Sequence, residues 1–297
     1  MEYLVIGNEF SGTDKGGKIL TEVAQYLNDK EIPFTLWKTS HTGHATDLAR
    51  EGYAQGYRKF FIVGGDGTFN EAINGLQDSN PDDPATLALI PAGSGNDLIR
   101  SNTTLSGSTK EMMDHIFQTD PVWIDCGTIN NGRFLNVCGF GLDVDLALRQ
   151  KKIKKYFKGA ISYYLATVIT VLNLHVYPVT YRIDDGDPIH DNIFLFAVGN
   201  GRSYGGGFLV TPEADLQDGL LDVCVVSKLP FYKVPGILMK LIKGKHLGAE
   251  KYVRYYKCKR VEMDSENHTL PLNIDGELIQ NAPLTCEIIP HCIKVYI

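Results

Sequence analysis

The sequence has no excess of positive charge, no paired cysteine motif and no apolar run long enough to cross a bilayer. Its 35 acidic residues outnumber the 29 basic ones in 297 residues, which gives a net charge of -6. Nucleic-acid binding over a broad basic face is therefore not expected, although a local basic patch remains open. The most apolar helix candidate, Ala160 to Leu172, is shorter than a membrane span, so we interpret it as a buried or interfacial helix.

Six cysteines are spread along the chain without a CxxC pair or a Cys/His cluster of metal-ligand spacing. We therefore expect reduced thiols in a cytoplasmic protein. Residues 1–8 lack the charged and apolar regions of a signal peptide, which agrees with that expectation. With 43% hydrophobic residues the chain can bury a full core, and its length favours two domains.

The first part of the chain alternates predicted strands with predicted helices. The predicted strands are Tyr3 to Ile6, Phe34 to Trp37, Phe60 to Val63 and Leu87 to Ile90, and the predicted helices are Lys18 to Leu27 and one that begins at Ala45 to Glu51. Such alternation is typical of a parallel sheet with helices on both faces, where ligands bind at the carboxyl ends of the strands. We predict an α/β nucleotide-binding domain over residues 1–123.

After about Trp123 the pattern changes to short strands separated by turn residues. The predicted strands are Ile124 to Thr128, Phe134 to Cys138, Thr180 to Ile183, Phe194 to Val198, Leu220 to Val226, Val261 to Met263 and Cys286 to Ile289. Helical stretches are expected around Ile161 and from Val234 to Ile242. We predict a mostly antiparallel β domain over residues 124–297.

A buried strand runs directly into three glycines and one carboxylate at Gly64 to Thr68. Gly64, Gly65 and Gly67 admit a ligand close to the backbone, and helical spacing follows them. Amides at a helix start attract phosphate, so we predict a phosphate cradle. A carboxylate beside phosphate needs a cation, and we predict that Asp66 organises Mg²⁺ directly or through water. The alternative is a tight turn in which Asp66 bonds only to the local backbone.

A second glycine loop, Pro91 to Asp97, follows the next predicted strand and again precedes a helix start. Gly93 and Gly95 permit close approach, while Ser94 and Asn96 offer hydrogen bonds to a nucleotide or a phosphate. A single loop of this kind is more often an ordinary turn or helix cap. Two of them at neighbouring strand ends favour a nucleotide site.

Two further segments lie at strand ends on the same predicted edge. The turn Asn8 to Gly12 follows the first strand, and Thr39 follows the second. Taken alone, Ser11 is interpreted as a helix cap and Thr39 as a loop residue. They become candidate nucleotide contacts only together with the glycine loops.

In combination, these segments resemble the diacylglycerol kinase catalytic-domain family, in particular its bacterial soluble lipid kinases. The match runs in order through nearly the whole chain. It is more specific than GGDGT, which NAD kinases and, more loosely, phosphofructokinases share. The matching segments are Asn8 to Gly12, Thr39 with Gly43 to Ala45, Gly64 to Leu76, Pro91 to Asp97, Asn136 to Asp143, Thr211 to Asp222 and Asn273 to Glu277.

The resemblance implies transfer of the γ-phosphoryl group of ATP, with Mg²⁺, to a lipid hydroxyl. The reaction would occur in a cleft between the nucleotide domain and a β-sandwich domain, to the first of which the C-terminal segment could return. The resemblance makes Glu277 the proton acceptor and adds Asp275 and Asp66 to the catalytic set. The nucleotide-binding residues that it implies are Asn8, Ser11, Gly12, Thr39, Gly64, Gly65, Asp66, Gly67, Thr68, Asn70, Glu71, Gly93 and Ser94.

The resemblance also implies a structural Mg²⁺ held by Asp215, Asp218 and the backbone carbonyl of Leu220. Without the resemblance this segment would be interpreted as a solvated acidic loop. Gln217 departs from the family pattern, because some relatives carry an aspartate there that is tied to the metal and water network. We therefore leave Gln217 out of the catalytic set.

Asp275 and Glu277 flank Gly276, and residues two apart in extended backbone face the same side. Phosphoryl transfer requires oxygens positioned in line, charge neutralisation and a carboxylate that accepts the hydroxyl proton. This pair suits that task. The alternative from IDGE alone is a β-turn between strands with two solvated acids.

Two lysine-rich stretches could contact the membrane that carries a lipid acceptor. The first contains five lysines that we expect to contact anionic phospholipid: Lys151, Lys152, Lys154, Lys155 and Lys158. The second runs from Lys251 to Arg260. Either stretch could instead be a solvated charged face.

We predict a cytoplasmic lipid kinase that acts peripherally at the inner face of the membrane and converts diacylglycerol to phosphatidic acid. NAD kinase is the enzymatic alternative, and a catalytically inactive nucleotide or lipid sensor is the other. The sequence leaves open whether a homodimer forms and which lipid alcohol is preferred.

Overall fold

The computed structural model describes residues 2–12, 15–102, 105, 107–129, 132–153, 169–170, 173–249, 251–265, 270–275, 277–281 and 284–296. Within these ranges the side chains of residues 101, 102, 143, 150, 151, 270, 277 and 279–281 are left out of the description. Most of the predicted helix Ala160 to Leu172 lies outside the described residues. No helix in the described part of the chain is long and apolar enough to cross a membrane.

Strands and helices alternate in the first half, as predicted. The elements are β1 (Tyr3–Gly7), α1 (Lys15–Asp29), β2 (Phe34–Lys38), α2 (His44–Ala54), β3 (Lys59–Gly64), α3 (Asp66–Gly75), β4 (Thr86–Pro91), α4 (Asp97–Asn102) and α5 (Thr109–Gln118). The strands Phe60 to Val63 and Leu87 to Ile90 are fully buried, since helices pack on the sheet and cover both faces. α1 shows the matching pattern, because its buried residues Leu20, Val23 and Leu27 recur at helical spacing.

The parallel strands are arranged in the order β2, β1, β3, β4. The chain moves from β1 to β2 on one side and then crosses to β3 on the other. A crevice therefore opens between the carboxyl ends of β1 and β3, which is where open parallel sheets bind ligands. The backbone N–H of Asn8, just after β1, donates to the carbonyl of Val63 near the end of β3 at 2.9 Å.

The second half is built mainly from antiparallel strands. Its elements are β5 (Val122–Ile129), β6 (Gly132–Phe134), β7 (Val137–Gly141), α6 (Leu142–Ile153), β8 (Tyr177–Ile183), β9 (Ile189–Gly199), β10 (Leu221–Ser227), a 3₁₀ turn (Phe231–Lys233), α7 (Val234–Ile242), β11 (Val253–Cys258), β12 (Arg260–Ser265), β13 (Leu270–Ile274), β14 (Glu277–Asn281) and β15 (Leu284–Tyr296). Its core contains Phe140, Tyr181, Phe196 and Val223. The predicted combination of a parallel α/β half and a mostly antiparallel β half is confirmed.

The long final strand β15 connects the two halves. Its first residues pair antiparallel with β12, and its last residues, Lys294 to Tyr296, pair parallel with Thr86 to Ala88 of β4. β5 runs antiparallel along the opposite edge of β15. The two halves thus share one continuous sheet, which fixes the glycine loops relative to the β half.

Two details of the predicted strands are wrong. The single strand expected over Phe134 to Cys138 is divided into β6 and β7, because the intervening Leu135 and Asn136 direct their amides to Asp275 instead of to a neighbouring strand. The basic stretch after Lys251 contains strand β11, which pairs with β10. Its buried residues Val253 and Cys258 lie on opposite faces of the strand and belong to two different clusters of the core.

The expectation of six reduced thiols is also wrong at two positions. Cys126 on β5 and Cys292 on β15 form a disulfide, with their Cα atoms 5.7 Å apart. They are 166 residues apart in sequence, so their spacing gave no sign of the pairing. Cys138, Cys224, Cys258 and Cys286 are buried and lie outside this disulfide.

Candidate active site

The two glycine loops lie against each other at the carboxyl ends of β3 and β4. The amide of Ala92 donates to the carbonyl of Gly64 at 2.6 Å. A Cβ atom on Gly93 would lie 2.6 Å from the Cα of Gly65, so only glycine permits this contact. Asn96 closes the second loop, since its side chain accepts from the amide of Gly93 at 3.0 Å and donates to the Gly93 carbonyl at 2.9 Å. Ser94 faces the adjoining cavity.

The turn after β1 joins the same edge. Gly12 has a φ of 60°, and a Cβ there would lie 2.2 Å from the carbonyl oxygen of Ala92. The side chain of Asn8 accepts from the amide of Phe10, and the amide of Ser11 bonds to the Asn8 carbonyl at 3.2 Å. The structure therefore brings Asn8, Ser11 and Gly12 beside the second glycine loop.

Among the predicted nucleotide residues on α3, Gly67 is accessible to a ligand, whereas Thr68 and Asn70 contact other parts of the protein. A Cβ on Gly67 would meet nothing within 4 Å, so the first turn of α3 is accessible there. Thr68 is buried and its side chain occupies the space beside Gly64. Asn70 accepts from the side-chain amide of Asn74 at 2.8 Å, a bond inside the helix that directs it away from the open edge.

Glu71 and Thr39 hold the loop after β2. The two carboxylate oxygens of Glu71 accept from the amides of Gly43 at 2.8 Å and Ala45 at 3.1 Å, so this side chain satisfies the N-terminus of α2. Thr39 is buried, and its amide donates to the carbonyl of Gly7 at 2.9 Å. In the structure the contacts of Glu71 and Thr39 thus hold the backbone at the start of α2 and at the end of β1.

Asp66 is the first residue of α3 and faces the cavity between the halves. Its Oδ1 accepts from the amide of Leu98 at 3.3 Å. Burial, together with the charge of Asp97, raises the pKa of the Asp66 carboxyl. A cation arriving here would relieve that electrostatic cost.

Asp97, the last residue of the second glycine loop, begins α4 and lines the cavity, and the sequence did not identify it as a site residue. It is 4% exposed, and its Oδ2 accepts from the amide of Gly206 at 2.7 Å in the β half. The hydroxyl of Ser203 donates to Oδ1 at 3.3 Å. The sequence feature that could have identified Asp97 is its position, because it is a carboxylate that begins a helix directly after a glycine loop.

Asp275 is bound by backbone amides from the break between β6 and β7. Its Oδ1 accepts from Asn136 and Val137 at 3.0 Å each, and its Oδ2 accepts from Leu135 at 2.8 Å. Burial raises the pKa of Asp275 to about 7, the negative charge of Asp66 adds to the rise, and the three amides oppose it. Asp66 and Asp275 therefore interact across the cavity.

The predicted geometry of the Asp275 and Glu277 pair is wrong. Asp275 has a φ of 47° and begins the turn between β13 and β14, in which Ile274 pairs with Glu277. The backbone is thus not extended between the two acids, and the β-turn alternative describes it correctly. The side chain of Glu277 lies outside the described residues.

One cavity of about 390 Å³ connects these carboxylates to an apolar chamber. Its polar end is lined by Asp66, Ser94, Asp97, Asn136, Asn273 and Asp275. Its apolar part is lined by Leu142, Leu146, Leu195, Phe208, Val210, Leu238 and Leu241, from α6, β9, the following loop and α7. A molecule with a polar end and an apolar body fits this division.

The acidic loop predicted to hold a structural Mg²⁺ is occupied by a lysine. Asp215 accepts from the amide of Gln217 and Asp218 from that of Leu220, each at 3.0 Å. The second carboxylate oxygen of Asp218 lies 2.9 Å from Nζ of Lys257. An ammonium group thus neutralises Asp218 in this structure, while the structural Mg²⁺ at Asp215, Asp218 and Leu220 stays a prediction.

Lys257 makes two further contacts in that loop. Its Nζ donates to the carbonyl of Glu213 at 3.1 Å and lies 3.6 Å from Oδ2 of Asp222. Gln217 donates to the carbonyl of Trp123 at 2.9 Å, which ties the loop to the start of β5. The loop is thereby fixed by its own side chains.

The structure describes only part of the first lysine-rich stretch, but it describes the whole of the second. Lys152 is exposed on α6, whereas Lys154, Lys155, Lys158 and the side chain of Lys151 lie outside the described residues. In the second stretch, Arg254 pairs with Asp191, Lys257 with Asp218, and Arg260 with Glu262 and Glu287. Those charges are engaged within the fold.

Comparison with known proteins identifies both halves. Residues 2–129 match the diacylglycerol kinase catalytic domain, and residues 136–297 match the YegS C-terminal NAD kinase beta sandwich-like domain. The chain is 28% identical to the diacylglycerol kinase of Staphylococcus carnosus (strain TM300), over 98% of this chain and 94% of that protein. It is 30% identical to a protein of Chromohalobacter salexigens named probable lipid kinase YegS-like, over 79% and 74% respectively.

Among solved structures, the chain resembles a candidate diacylglycerol kinase from Bacillus anthracis str. Sterne. The TM-score is 0.79 at 27% identity, and the match covers 99% of this chain and 94% of the other. Fold, cavity and matches together define a phosphotransferase of the lipid kinase class. The chain belongs to the diacylglycerol kinase catalytic-domain family and carries the YegS-type C-terminal domain. The predicted family, fold class and enzyme class are confirmed, and the NAD kinase alternative is set aside.

Proposed function

We propose that the chain transfers the γ-phosphoryl group of ATP to the free hydroxyl of diacylglycerol, giving phosphatidic acid and ADP. The observation that carries this proposal is the single cavity with carboxylates at one end and an apolar chamber at the other. The chamber suits acyl chains, while the carboxylate end adjoins the glycine loops. A nicotinamide nucleotide carries no acyl chain that would fill such a chamber.

ATP would bind in the crevice between β1 and β3, with its phosphates against the open first turn of α3. Exposed amides and the helix dipole favour phosphate there. Among the described residues no three acidic, His or Cys side chains lie close enough to hold a metal ion by themselves. This supports entry of Mg²⁺ together with the nucleotide, since Mg²⁺ is commonly bound by one or two carboxylates plus substrate phosphates. Asp66 would hold it, and the ion would neutralise charge on the phosphates.

The protein's own residues would then position the acceptor. The acceptor oxygen forms a bond to the γ-phosphorus, the bond from that phosphorus to the β–γ bridging oxygen breaks, and the hydroxyl proton passes to a carboxylate. We assign that proton to Glu277. Its backbone follows the turn that Asp275 begins, and Asp275 fixes this turn to the amides of residues 135–137.

The first test is phosphate transfer from labelled ATP with Mg²⁺ to diacylglycerol, sphingosine, phosphatidylglycerol and NAD, with the lipids in mixed micelles. We expect labelled phosphatidic acid from diacylglycerol. If a different lipid is labelled, that lipid is the acceptor in place of diacylglycerol. ATP binding without any product would favour the sensor alternative. Glu277→Gln should reduce turnover by about two to four orders of magnitude with nearly unchanged ATP affinity. Retained turnover would remove Glu277 from that role.

The nucleotide site is tested separately by Gly67→Ala. A Cβ on Gly67 meets no protein atom within 4 Å, so the variant should fold with unchanged thermal stability. If phosphate approaches this turn, the KM for ATP should rise about tenfold. Gly248→Ala is the matched control, because a Cβ there also meets nothing within 4 Å. Equal KM values in both variants would place the phosphates elsewhere.

For location, we propose peripheral association with a membrane surface that contains anionic phospholipid, in part through Lys152 and its neighbours. Lys152 is exposed on α6, the helix whose Leu142 and Leu146 line the cavity. Charge reversal of the stretch Lys151 to Lys158 should weaken binding to anionic vesicles and spare a short-chain soluble substrate. An equal loss on both substrates would indicate a structural role.

A further inference from the structure

The segment from Lys228 to Ala249, which contains α7, exposes several large apolar side chains. Phe231 is 56% exposed, Tyr232 77%, Met239 51% and Ile242 37%. Four large exposed apolar residues within twelve positions form a patch, whereas single exposed apolar residues need no explanation. Patches of this kind mark surfaces that meet another apolar phase or a partner.

The exposed residues form a continuous stripe along the segment. Pro235, Met239 and Ile242 follow one another at steps of four and three, which places them on one side of α7, and Phe231 lies in the 3₁₀ turn that leads into this helix. A neighbouring side of α7 faces the core, because Val234, Ile237 and Leu241 are buried in the β half. The stripe is therefore a second apolar face in addition to the core face.

The stripe adjoins the cavity of the active site. Leu238 lies between the buried and the exposed side of α7 and lines the cavity together with Leu241. α6 contributes Leu142 and Leu146 to the same cavity and exposes Leu148, which is 41% exposed. Two helices that line the apolar chamber thus also present apolar side chains to the outside.

The charge of this segment is of one sign. Residues 228–249 contain no Asp or Glu, although the whole chain has a net charge of -6. The same residues contain five lysines: Lys228, Lys233, Lys240, Lys243 and Lys245. All five are exposed, and among the described residues only the ammonium group of Lys233 has a contact, with the ring and hydroxyl of Tyr252. None of the five forms an ion pair with a described residue, so their charge is not compensated within that part of the chain.

We propose that the exposed patch of Phe231, Tyr232, Met239 and Ile242, with its flanking lysines, docks the protein on an anionic lipid bilayer. Aromatic and aliphatic side chains would enter the boundary between headgroups and acyl chains, while the lysines contact anionic headgroups. This combination matches a bilayer better than a protein groove, because five uncompensated cations need a surface dense in negative charge. Docking would bring the apolar chamber close to the membrane. The role of the docking surface in giving the chamber access to a lipid substrate rests on the proposed lipid kinase function.

Docking is measured by sedimentation of the full chain with vesicles of phosphatidylcholine containing about 30% phosphatidylglycerol, with pure phosphatidylcholine alongside. We expect binding to the anionic vesicles that weakens about tenfold or more in the double variant Phe231→Ser/Tyr232→Ser, and also in Lys240→Glu/Lys243→Glu. Lys30→Glu/Lys110→Glu is the control, because it makes the same charge change at exposed positions outside this surface. Equal weakening in the control would show that only net charge matters and would overturn the proposal.

A second measurement reports insertion directly. In Tyr232→Trp the added tryptophan fluorescence should be quenched by vesicles with brominated acyl chains, relative to the unsubstituted protein. Absence of added quenching would overturn the proposal, as would dimerisation in solution that Phe231→Ser/Tyr232→Ser abolishes while vesicle binding is unchanged. Vesicle binding without phosphorylation of any lipid would leave the docking surface standing and refute the proposed function instead.

Discussion

The two groups of aspartates in this chain contain the same residue type but differ in what lies beside them. Asp66, Asp97 and Asp275 face a cavity, where the charge of Asp97 helps to raise the pKa of Asp66 and the charge of Asp66 helps to raise the pKa of Asp275. Asp218 and Asp222 lie around the ammonium group of Lys257. The first group keeps negative charge available to an arriving cation, whereas the second is neutralised from within. A cluster of carboxylates therefore becomes a binding site only where the fold withholds an internal cation.

Among changes to these two groups, the largest effect is expected from Asp66→Asn. If Asp66 serves the transferring phosphate, the variant should lose about two to three orders of magnitude in turnover. Its melting temperature should stay the same or rise, because burial already disfavours the charged carboxylate. Lipid phosphorylation and thermal unfolding on the same sample check both expectations. Turnover within about threefold of the unsubstituted protein would contradict the role.

Asp275→Asn should act on stability as well as on turnover. Both oxygens of Asp275 accept backbone amides, and an asparagine would turn its own N–H₂ group toward at least one of these donors. We expect the free energy of unfolding to fall by about 2–3 kcal/mol, measured by urea denaturation. Asp185→Asn, in the exposed turn between β8 and β9, is the matched control and should change it by less than about 0.5 kcal/mol. Equal changes would show that the amide bonds of Asp275 contribute little.

This contrast between the two groups could be predicted from the sequence only in part. The glycine loops Gly64 to Thr68 and Pro91 to Asp97 were predicted because their residues are consecutive and each follows an apolar strand. The turn at Asp275 was only the alternative, and the amides that bind Asp275 were not predicted, since they lie 138–140 residues earlier in the chain. The chamber is built by α6, β9 and α7, whose residues are ordinary core residues in sequence.

Lys257 was missed for a related reason. Its contact with the acidic loop follows from the antiparallel register in which Asp222 pairs with Lys257 across β10 and β11. The sequence shows Lys257 only as one of several basic residues between Lys251 and Arg260. Local patterns reveal which residue types are present, while strand register decides which of them meet.

Lys257→Met tests the internal cation. The change leaves Asp218 and Asp222 without it, and we expect the free energy of unfolding to fall by about 1–2 kcal/mol. Without nucleotide, Mg²⁺ should then raise the melting temperature of the variant more than that of the unsubstituted protein, since a vacated cation position favours a hard ion. Lys110→Met, an exposed lysine without an ion pair to a described residue, is the control. An equal Mg²⁺ response in all three proteins would show that Lys257 does not take the place of a metal.

The smallest effect concerns pH and Asp222, the buried member of the lysine-filled loop. Burial raises the pKa of Asp222 to about 6, although the bond from Tyr255 at 2.7 Å and the charge of Lys257 oppose the rise. Because this pKa lies above the ordinary value of 3.8, the folded chain retains a proton that the unfolded chain has lost. The stabilisation is complete below about pH 3.8 and is lost as pH rises through about 6.

Asp222→Asn removes this titration while keeping an oxygen that can accept from Tyr255. Melting temperatures between pH 4 and 7.5 should therefore show the unsubstituted protein losing stability relative to the variant as pH rises, and other titrating groups cancel in the difference. The opposite slope would mean that Lys257 holds Asp222 ionised more strongly than burial opposes it. In that case Asp222 and Lys257 would form a stabilising ion pair. The two groups of aspartates would then differ more in how far their charge is neutralised than the structure indicates.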